Sequence, residues 1–396
     1  MTLVPDLLEA TEEIETPKSF VLWAIMAAVS AILRKNVWYD KHAYKVYPNI
    51  YALIVGAAGL RKGFAISLAQ KLVSSVNNTR IISGQNSIQG ILKELSSAES
   101  NEDGSPMFTK AQAFICSAEL ANLLIEDKQA HTLLTELYDT HANEKEYKKT
   151  LKEGKTVLVE PCLTFLAASN QRLLMEALPP ASYEGGLIGR TMVIEETARR
   201  CINSLTNPPR ISIPWKSAAD DLRAIAAIRG PFEFDSKDTQ EYYDKWYNSF
   251  ELEKIDDNTG TASRMQDHIL KLAMIISCTK RLTRTFAKSD IDEAMDLCMT
   301  STRSIKMVIG KQGANQYSRQ TLIVLRELVN APDNRVKKSA LLRKHYGDFD
   351  STDLGRIIDT LTQAGAVSVQ NRDSETWFTL NDRVKASYEN FLGAEK

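Results

Sequence analysis

Residues Tyr51 to Leu68 read YALIVGAAGLRKGFAISL, and the fold turns on how that stretch is parsed. Tyr51-Ala52-Leu53-Ile54-Val55 is an uninterrupted apolar run of the kind shown by a strand buried on both faces. Gly56, Ala57, Ala58 and Gly59 follow, then the basic pair Arg61-Lys62, then an apolar-periodic segment from Phe64 to Val73 that predicts a helix. Strand, glycine-rich turn and helix in that order make a phosphate-binding context. Loop amides and the helix N-terminus cradle phosphates, and a lysine reaches the terminal ones. Lys62 stands six residues after Gly56, the spacing of that motif. Two positions depart from it: Arg61 replaces the second motif glycine, and Gly63 the Ser or Thr whose hydroxyl holds Mg²⁺. Alone, the stretch also reads as a tight turn with a solvated lysine, so the decision falls to the rest of the chain.

The 396 residues have length for a sizeable core and two to three domains, and a 43% hydrophobic, 25% charged composition is that of a globular protein. A net charge of −1 gives no global basic bias, so any nucleic-acid surface has to be local. Cys116, Cys162, Cys201, Cys278 and Cys298 lack CxxC spacing and read as reduced residues, not a zinc site or disulfide framework. No signal pattern opens the chain, and the apolar run Phe20 to Leu33 is too short to span a bilayer. The expectation is a soluble cytoplasmic protein.

Outward from the glycine-rich loop, residues 7–35 read as helical, and Val37-Trp38-Tyr39 and Tyr44-Lys45-Val46-Tyr47 as a hairpin, together a packing collar. Downstream, Ala113 to Ala118 is a second buried strand ending at Glu119, where a P-loop ATPase keeps a carboxylate that polarises the attacking water. Ala118 stands where the metal-binding Asp would be. Pro161 to Ser169 is a third strand ending in Asn170, and a glycine-rich segment with Arg190 precedes a fourth, Thr191 to Ile194. A subunit-facing Arg there would act as an arginine finger, or else pair with a surface carboxylate. Residues 145–156 carry Lys148, Lys149, Lys152 and Lys155, either as a solvated charge run or as a lysine-bearing hairpin. From Trp215 to about Gly310 the pattern is helical, with Arg264 at the head of an apolar helix in which His268 reads as a packing residue. Three short helices and a hairpin in residues 319–380 predict a winged helix. Arg335, Lys337, Lys338, Arg343 and Lys344 are its candidate phosphate contacts, set against Asp348, Asp350 and Asp353.

Each signal is degenerate alone, but they follow one order. The chain resembles the helicase-like P-loop ATPases of phages and mobile elements, encoded fused to or beside a primase. The matching segments are Phe20-Val21-Leu22-Trp23, Tyr47-Pro48-Asn49-Ile50-Tyr51, the Arg61-Lys62 loop, Leu137-Tyr138-Asp139, Glu160-Pro161-Cys162-Leu163 and Gly189-Arg190. The layout is also similar to the AAA+ cores of minichromosome-maintenance-type helicases. The resemblance implies an α/β fold: a collar (1–48), a P-loop AAA+-like core (49–207), a helical lid (208–312) and a winged-helix domain (313–396). It implies an ATP and Mg²⁺-dependent DNA helicase in a hexameric ring, with a primase as partner, or alternatively a non-hydrolysing initiator or loader. Gly56, Gly59, Arg61, Lys62, Gly63 and Arg264 would contact nucleotide, Glu119 and Asn170 would handle water, and Arg190 would act in trans. Gly63 and Ala118 remove both protein ligands such an enzyme offers Mg²⁺.

Overall fold

The computed structural model describes residues 2–83, 87–96, 99–100, 106–108, 110–117, 130–139, 146–151, 154–177, 186–204, 206–250, 259–310, 318–372 and 375–381. They form two compact units, residues 1–308 and 309–396. The first begins with α1 (Leu3–Ala10), α2 (Lys18–Leu33), β1 (Val37–Asp40), β2 (Lys45–Val46), β3 (Tyr51–Gly56), α3 (Lys62–Ser74) and β4 (Arg80–Ser83). It continues through α4 (Ile88–Ser96), β5 (Glu99–Ser100), β6 (Pro106–Phe108), β7 (Gln112–Ser117), α5 (Ala130–Tyr138), β8 (Glu146–Leu151) and β9 (Gly154–Val159). Then come β10 (Cys162–Ser169), α6 (Gln171–Ala177), β11 (Thr191–Glu196), α7 (Trp215–Ala226) and β12 (Gly230–Phe234). It closes with α8 (Lys237–Ser249), α9 (Met265–Arg281), β13 (Thr285–Phe286) and α10 (Lys288–Gly310). Among the described residues no helix is long and apolar enough to cross a membrane.

Five strands run parallel in the order β11-β3-β10-β7-β4. Every residue of β3 and β10 is buried, as a sheet covered on both faces requires. Numbered by appearance the order is 5-1-4-3-2. The chain leaves β3 toward the β4 edge and leaves β10 toward the β11 edge, so a crevice opens between β3 and β10 at their carboxyl ends. Open α/β sheets bind ligands at such a switch point.

Helix α2 lies inside the core. All but three of its 16 residues are buried, and it packs on α3, α7, α9 and β10. A helix apolar on every side has no solvent face to present. Its one buried hydroxyl, Ser30, donates to the Pro48 carbonyl (2.8 Å), meets Thr164 Oγ1 (2.8 Å) and accepts from the Ile50 amide (3.2 Å). That pins α2 to the starts of β3 and β10. The continuous helix expected over 7–35 is broken between α1 and α2. Thr11 Oγ1 turns back to the Leu7 carbonyl (2.7 Å), and Pro17, which has no N–H, stands at the α2 N-cap. The expected β1–β2 hairpin pairs Tyr39 with Val46. Its other edge pairs in parallel with β12, which pairs with β13, so residues 37–46 share a sheet with 230–234 and 285–286. Tyr39 meets Phe234 and Phe286 edge-on there, and Phe286 meets Phe232 and Phe234 at a tilt, ring centroids 5.0–5.7 Å apart.

The second unit contains α11 (Ser318–Asn330), β14 (Arg335–Lys337), α12 (Lys338–Lys344), α13 (Ser351–Gln363), β15 (Val367–Arg372) and β16 (Glu375–Leu380). Its antiparallel sheet has the order β14-β16-β15. Leu354, Ile357, Ile358 and Leu361, on one face of α13, join Val324, Leu328, Phe378 and Leu380 in its core.

Candidate functional site

Gly56 closes β3 and Lys62 opens α3, so the loop between them lies at the carboxyl edge of the sheet, over the switch point. Two glycines are fixed there by space and backbone. A Cβ on Gly56 would stand 2.5 Å from Leu60 Cδ1 and 2.9 Å from the Glu196 carbonyl oxygen, and Gly59 has φ +90°. Arg61 also takes a left-handed backbone (φ 55°, ψ 31°), which costs a non-glycine residue about 1 kcal/mol. The motif glycine is thus lost in residue type while the position keeps a glycine-like conformation. Lys62 Nζ donates to the carbonyls of Gly56 (2.7 Å) and Ala57 (2.9 Å), folding the ammonium across the loop, and burial lowers its pKa. The first amides of α3 have no partner within the helix and add the positive end of its dipole.

A carboxylate that the sequence reading passed over organises this edge. Glu15, in the turn between α1 and α2, is 8% exposed. It accepts from Arg61 Nε (2.8 Å), Arg199 Nη1 (3.2 Å) and the Asn203 amide (3.3 Å). The Arg61 hydrogen bond, then the Asn203 amide, hold its carboxyl below the usual range against the opposing effect of burial. The strand following segment is laced to the same turn: the Arg200 amide donates to the Glu15 carbonyl (3.1 Å) and Asn203 Nδ2 to the Glu13 carbonyl (2.8 Å). Arg199 Nη2 lies 3.4 Å from where a Gly59 Cβ would stand. The available signal was a basic pair, Arg199-Arg200, directly after the fourth strand, with Glu12, Glu13 and Glu15 clustered before Pro17.

Asn170 follows the last residue of β10, and Ser169 pairs with Val55, so Asn170 stands beside the end of β3. Its Oδ1 accepts from the Leu173 amide (2.9 Å), starting α6. Ser117, the last residue of β7, ends at the same edge; Glu119, two residues on, lies outside the described residues. For Mg²⁺ the loop supplies no hydroxyl, because position 63 is glycine. Among the described residues no cluster of three His, Cys, Asp or Glu side chains is placed to hold a metal ion. Among the described residues the donor set therefore does not fit a protein-held cation.

Arg190 stands at the other edge. It precedes β11, whose Thr191 pairs with Tyr51, the first residue of β3. Six residues of strand, about 20 Å, separate that edge from the loop. Arg190 Nε (2.7 Å) and Nη2 donate to Asp139 Oδ2, and Nη1 to the Gly186 carbonyl (2.9 Å). Arg264 is beside it, 3.7 Å from where a Gly186 Cβ would stand, with Nη1 on the Gly260 carbonyl (2.9 Å). The turn leading into α9 packs on the turn before β11, so Arg264 is held away from Lys62 of its own chain. Tyr138, Asp139, Arg190, Arg264, His268 and Lys271 line a cavity of about 250 Å³. Lys271 Nζ bonds the Asn49 carbonyl (3.0 Å) and Oδ1 (2.8 Å), 3.9 Å above the Tyr138 ring, and burial lowers its pKa to about 8. His268 sits between Tyr138 Oη (3.2 Å) and the Gly189 carbonyl (3.0 Å), its pKa lowered by burial to about 4.

Residues 146–159 form the antiparallel pair β8–β9, with Lys149 opposite Thr156 and Thr150 opposite Lys155. Of the two readings of this charge run, the hairpin is the one formed. Lys148 also lies on β8, and Lys152 lies outside the described residues. In the second unit Arg335 (4.4 Å) and Lys337 (4.9 Å) lie over the Trp377 ring, Lys337 pairs with Glu375, and Lys344 with Glu327 (2.8 Å). Lys338 and Arg343 have no carboxylate partner among the described residues. Asp350 and Asp353 form a capping box at the start of α13, which places two acids where a groove-reading helix would meet phosphates. In comparisons with known proteins, no family model matches the chain and no curated protein shows significant similarity to it.

Proposed function

We propose that the chain is a P-loop, AAA+-like ATPase working as a helicase-like motor in phage or mobile-element DNA replication. The observation that carries this reading is the strand order 5-1-4-3-2 with a glycine-rich loop and Lys62 at its switch point. Lys62 binds the β- and γ-phosphates of ATP, Glu119 activates water and Asn170 orients it. Arg190 and Arg264, at the far edge of the sheet, serve the nucleotide of the adjacent copy in a hexameric ring. The β8–β9 hairpin and the winged-helix unit meet DNA, and a separately encoded primase is the partner. Lys62→Ala should lose roughly 2–4 kcal/mol of ATP affinity, as removal of a charge-assisted contact does. Equal stabilisation of wild type and variant by ATP in a thermal scan would sink the reading.

Gly63 and Ala118 favour a second reading, an initiator or loader that binds nucleotide without hydrolysing it. Turnover of Mg²⁺-ATP with single-stranded DNA separates the two. A motor loses turnover in Glu119→Gln while still binding ATP. A wild type that binds ATP and never turns it over is the loader.

A further inference from the structure

Arg61 and Arg199 are two cations at the carboxyl edge that the loop motif does not call for. Each gives one nitrogen to Glu15 and keeps others unspent. Among the described residues no protein group accepts from Arg61 Nη1 or Nη2, or from Arg199 Nη2. The arginine side chains are 54% and 37% exposed, while that of Glu15 is only 10% exposed. One carboxylate thus carries two guanidinium groups, and the adjacent Lys62 bonds only backbone carbonyls. Of these four side chains three are cations and one an anion, beside a loop whose residue 63 has no side-chain oxygen to give a metal. Arg199 Nη2 lies 3.4 Å from where a Cβ on Gly59, whose φ is +90°, would stand.

We propose that Arg61 and Arg199 take the place of the divalent cation, binding the phosphate oxygens of a metal-free nucleoside triphosphate laid on the loop, with Glu15 positioning both. The inference rests on the reading of residues 56–63 as a phosphate loop. A guanidinium is charged at every physiological pH and presents a planar fork that matches phosphate geometry, so it neutralises the tail without a metal. Glu15 takes Nε from one arginine and Nη1 from the other, which fixes both side chains and leaves outer nitrogens for ligand. The cost of the left-handed Arg61 backbone is explained by the same arrangement. Thr16 Oγ1 donates to the Arg61 carbonyl (3.2 Å), so the α1–α2 turn grips this residue at side chain and main chain alike.

The test is ATP affinity by calorimetry, in EDTA and in Mg²⁺, for wild type, Lys62→Ala, Arg61→Gln, Arg199→Gln, Arg199→Lys and Glu15→Gln. Wild-type affinity should agree within about threefold in the two buffers, because the phosphate charge is met by guanidinium groups rather than by metal. Arg61→Gln and Arg199→Gln should each bind at least about tenfold more weakly in EDTA and recover in part with Mg²⁺. Arg199→Lys, which keeps the charge and loses the fork, should fall between Arg199→Gln and wild type. Glu15→Gln should weaken binding in EDTA more than in Mg²⁺, a difference that a merely structural ion pair does not produce. A wild type that loses about a hundredfold on chelation, or arginine variants that bind as wild type in EDTA, would overturn the proposal. Lys62→Ala separates it from the reading beneath. If that variant alone loses ATP, the loop stands and the arginine pair falls. Undiminished ATP binding by Lys62→Ala, or none by wild type, removes both.

Discussion

Gly63 is the residue at which a single atom group decides the most. It is the second residue of α3, it is exposed, and a Cβ added there meets nothing within 4 Å. Gly63→Ser therefore fits without repacking and should raise stability by about 0.5 kcal/mol through helix propensity. It should also make ATP binding respond to Mg²⁺, by returning the hydroxyl that the motif uses. A variant that unfolds earlier than wild type, or whose ATP affinity ignores Mg²⁺, would contradict this. The same site shows what single residues disclose in a sequence. Gly56, Gly59 and Lys62 were legible because turn chemistry and motif spacing act over a few neighbours. The link that Glu15 makes between Arg61 and Arg199 was not, since Glu15 stands 46 residues from Arg61 and 184 from Arg199. An ion pair of that span has no period to read.

Helix α9 carries a pH dependence of its own. The folded-state pKa of His268 is about 4, against 6.5 for the free side chain, because burial disfavours the imidazolium. Between those values the unfolded chain binds a proton that the folded chain does not, so stability rises with pH. The contribution is complete above pH 6.5 and is lost as pH falls toward 4, in all roughly 3 kcal/mol. Urea unfolding at intervals from pH 4 to 7 measures it, and His268→Gln should flatten the slope while keeping a hydrogen-bonding side chain in place. An equal slope in both proteins would assign the proton elsewhere. Elements with a strict pattern were legible: the strands β3, β7 and β10, the amphipathic helix α13 and the β15–β16 hairpin. Helix α2 was legible as a helix and not by position, because a segment apolar on every side gives no direction in which to face. The strand β12, GPFEF, escaped because five residues that open on Gly-Pro also read as a loop. Only its neighbours β1 and β13 make it a strand.

At the scale of the whole chain, residues 309–396 form a unit whose cations are already partly engaged. Arg335 and Lys337 lie over Trp377, and Lys337 and Lys344 have carboxylate partners. If this unit binds duplex DNA, Lys338→Ala with Arg343→Ala should flatten the salt dependence by about 2 units, at roughly 0.9 per phosphate contact. Adding Arg335, Lys337 and Lys344 should take the change no further than about 4–5 units. An unchanged salt slope would assign the surface to a protein partner instead. The unit 1–308 contains the segments expected as collar, core and lid, and its packing ties early residues to late ones. Helix α2 rests on α3, which follows it closely, and also on β10, α7 and α9, which leave the ribosome long after residues 18–33. For most of synthesis the nascent chain carries a sixteen-residue greasy helix with part of its seat missing, and topology of this kind folds slowly and exposes itself to aggregation. A chain ending at residue 207 should therefore collect in the insoluble fraction or on chaperones, while 1–308 is recovered soluble. Equal solubility of the two would show that α2 finds shelter before α7 and α9 arrive.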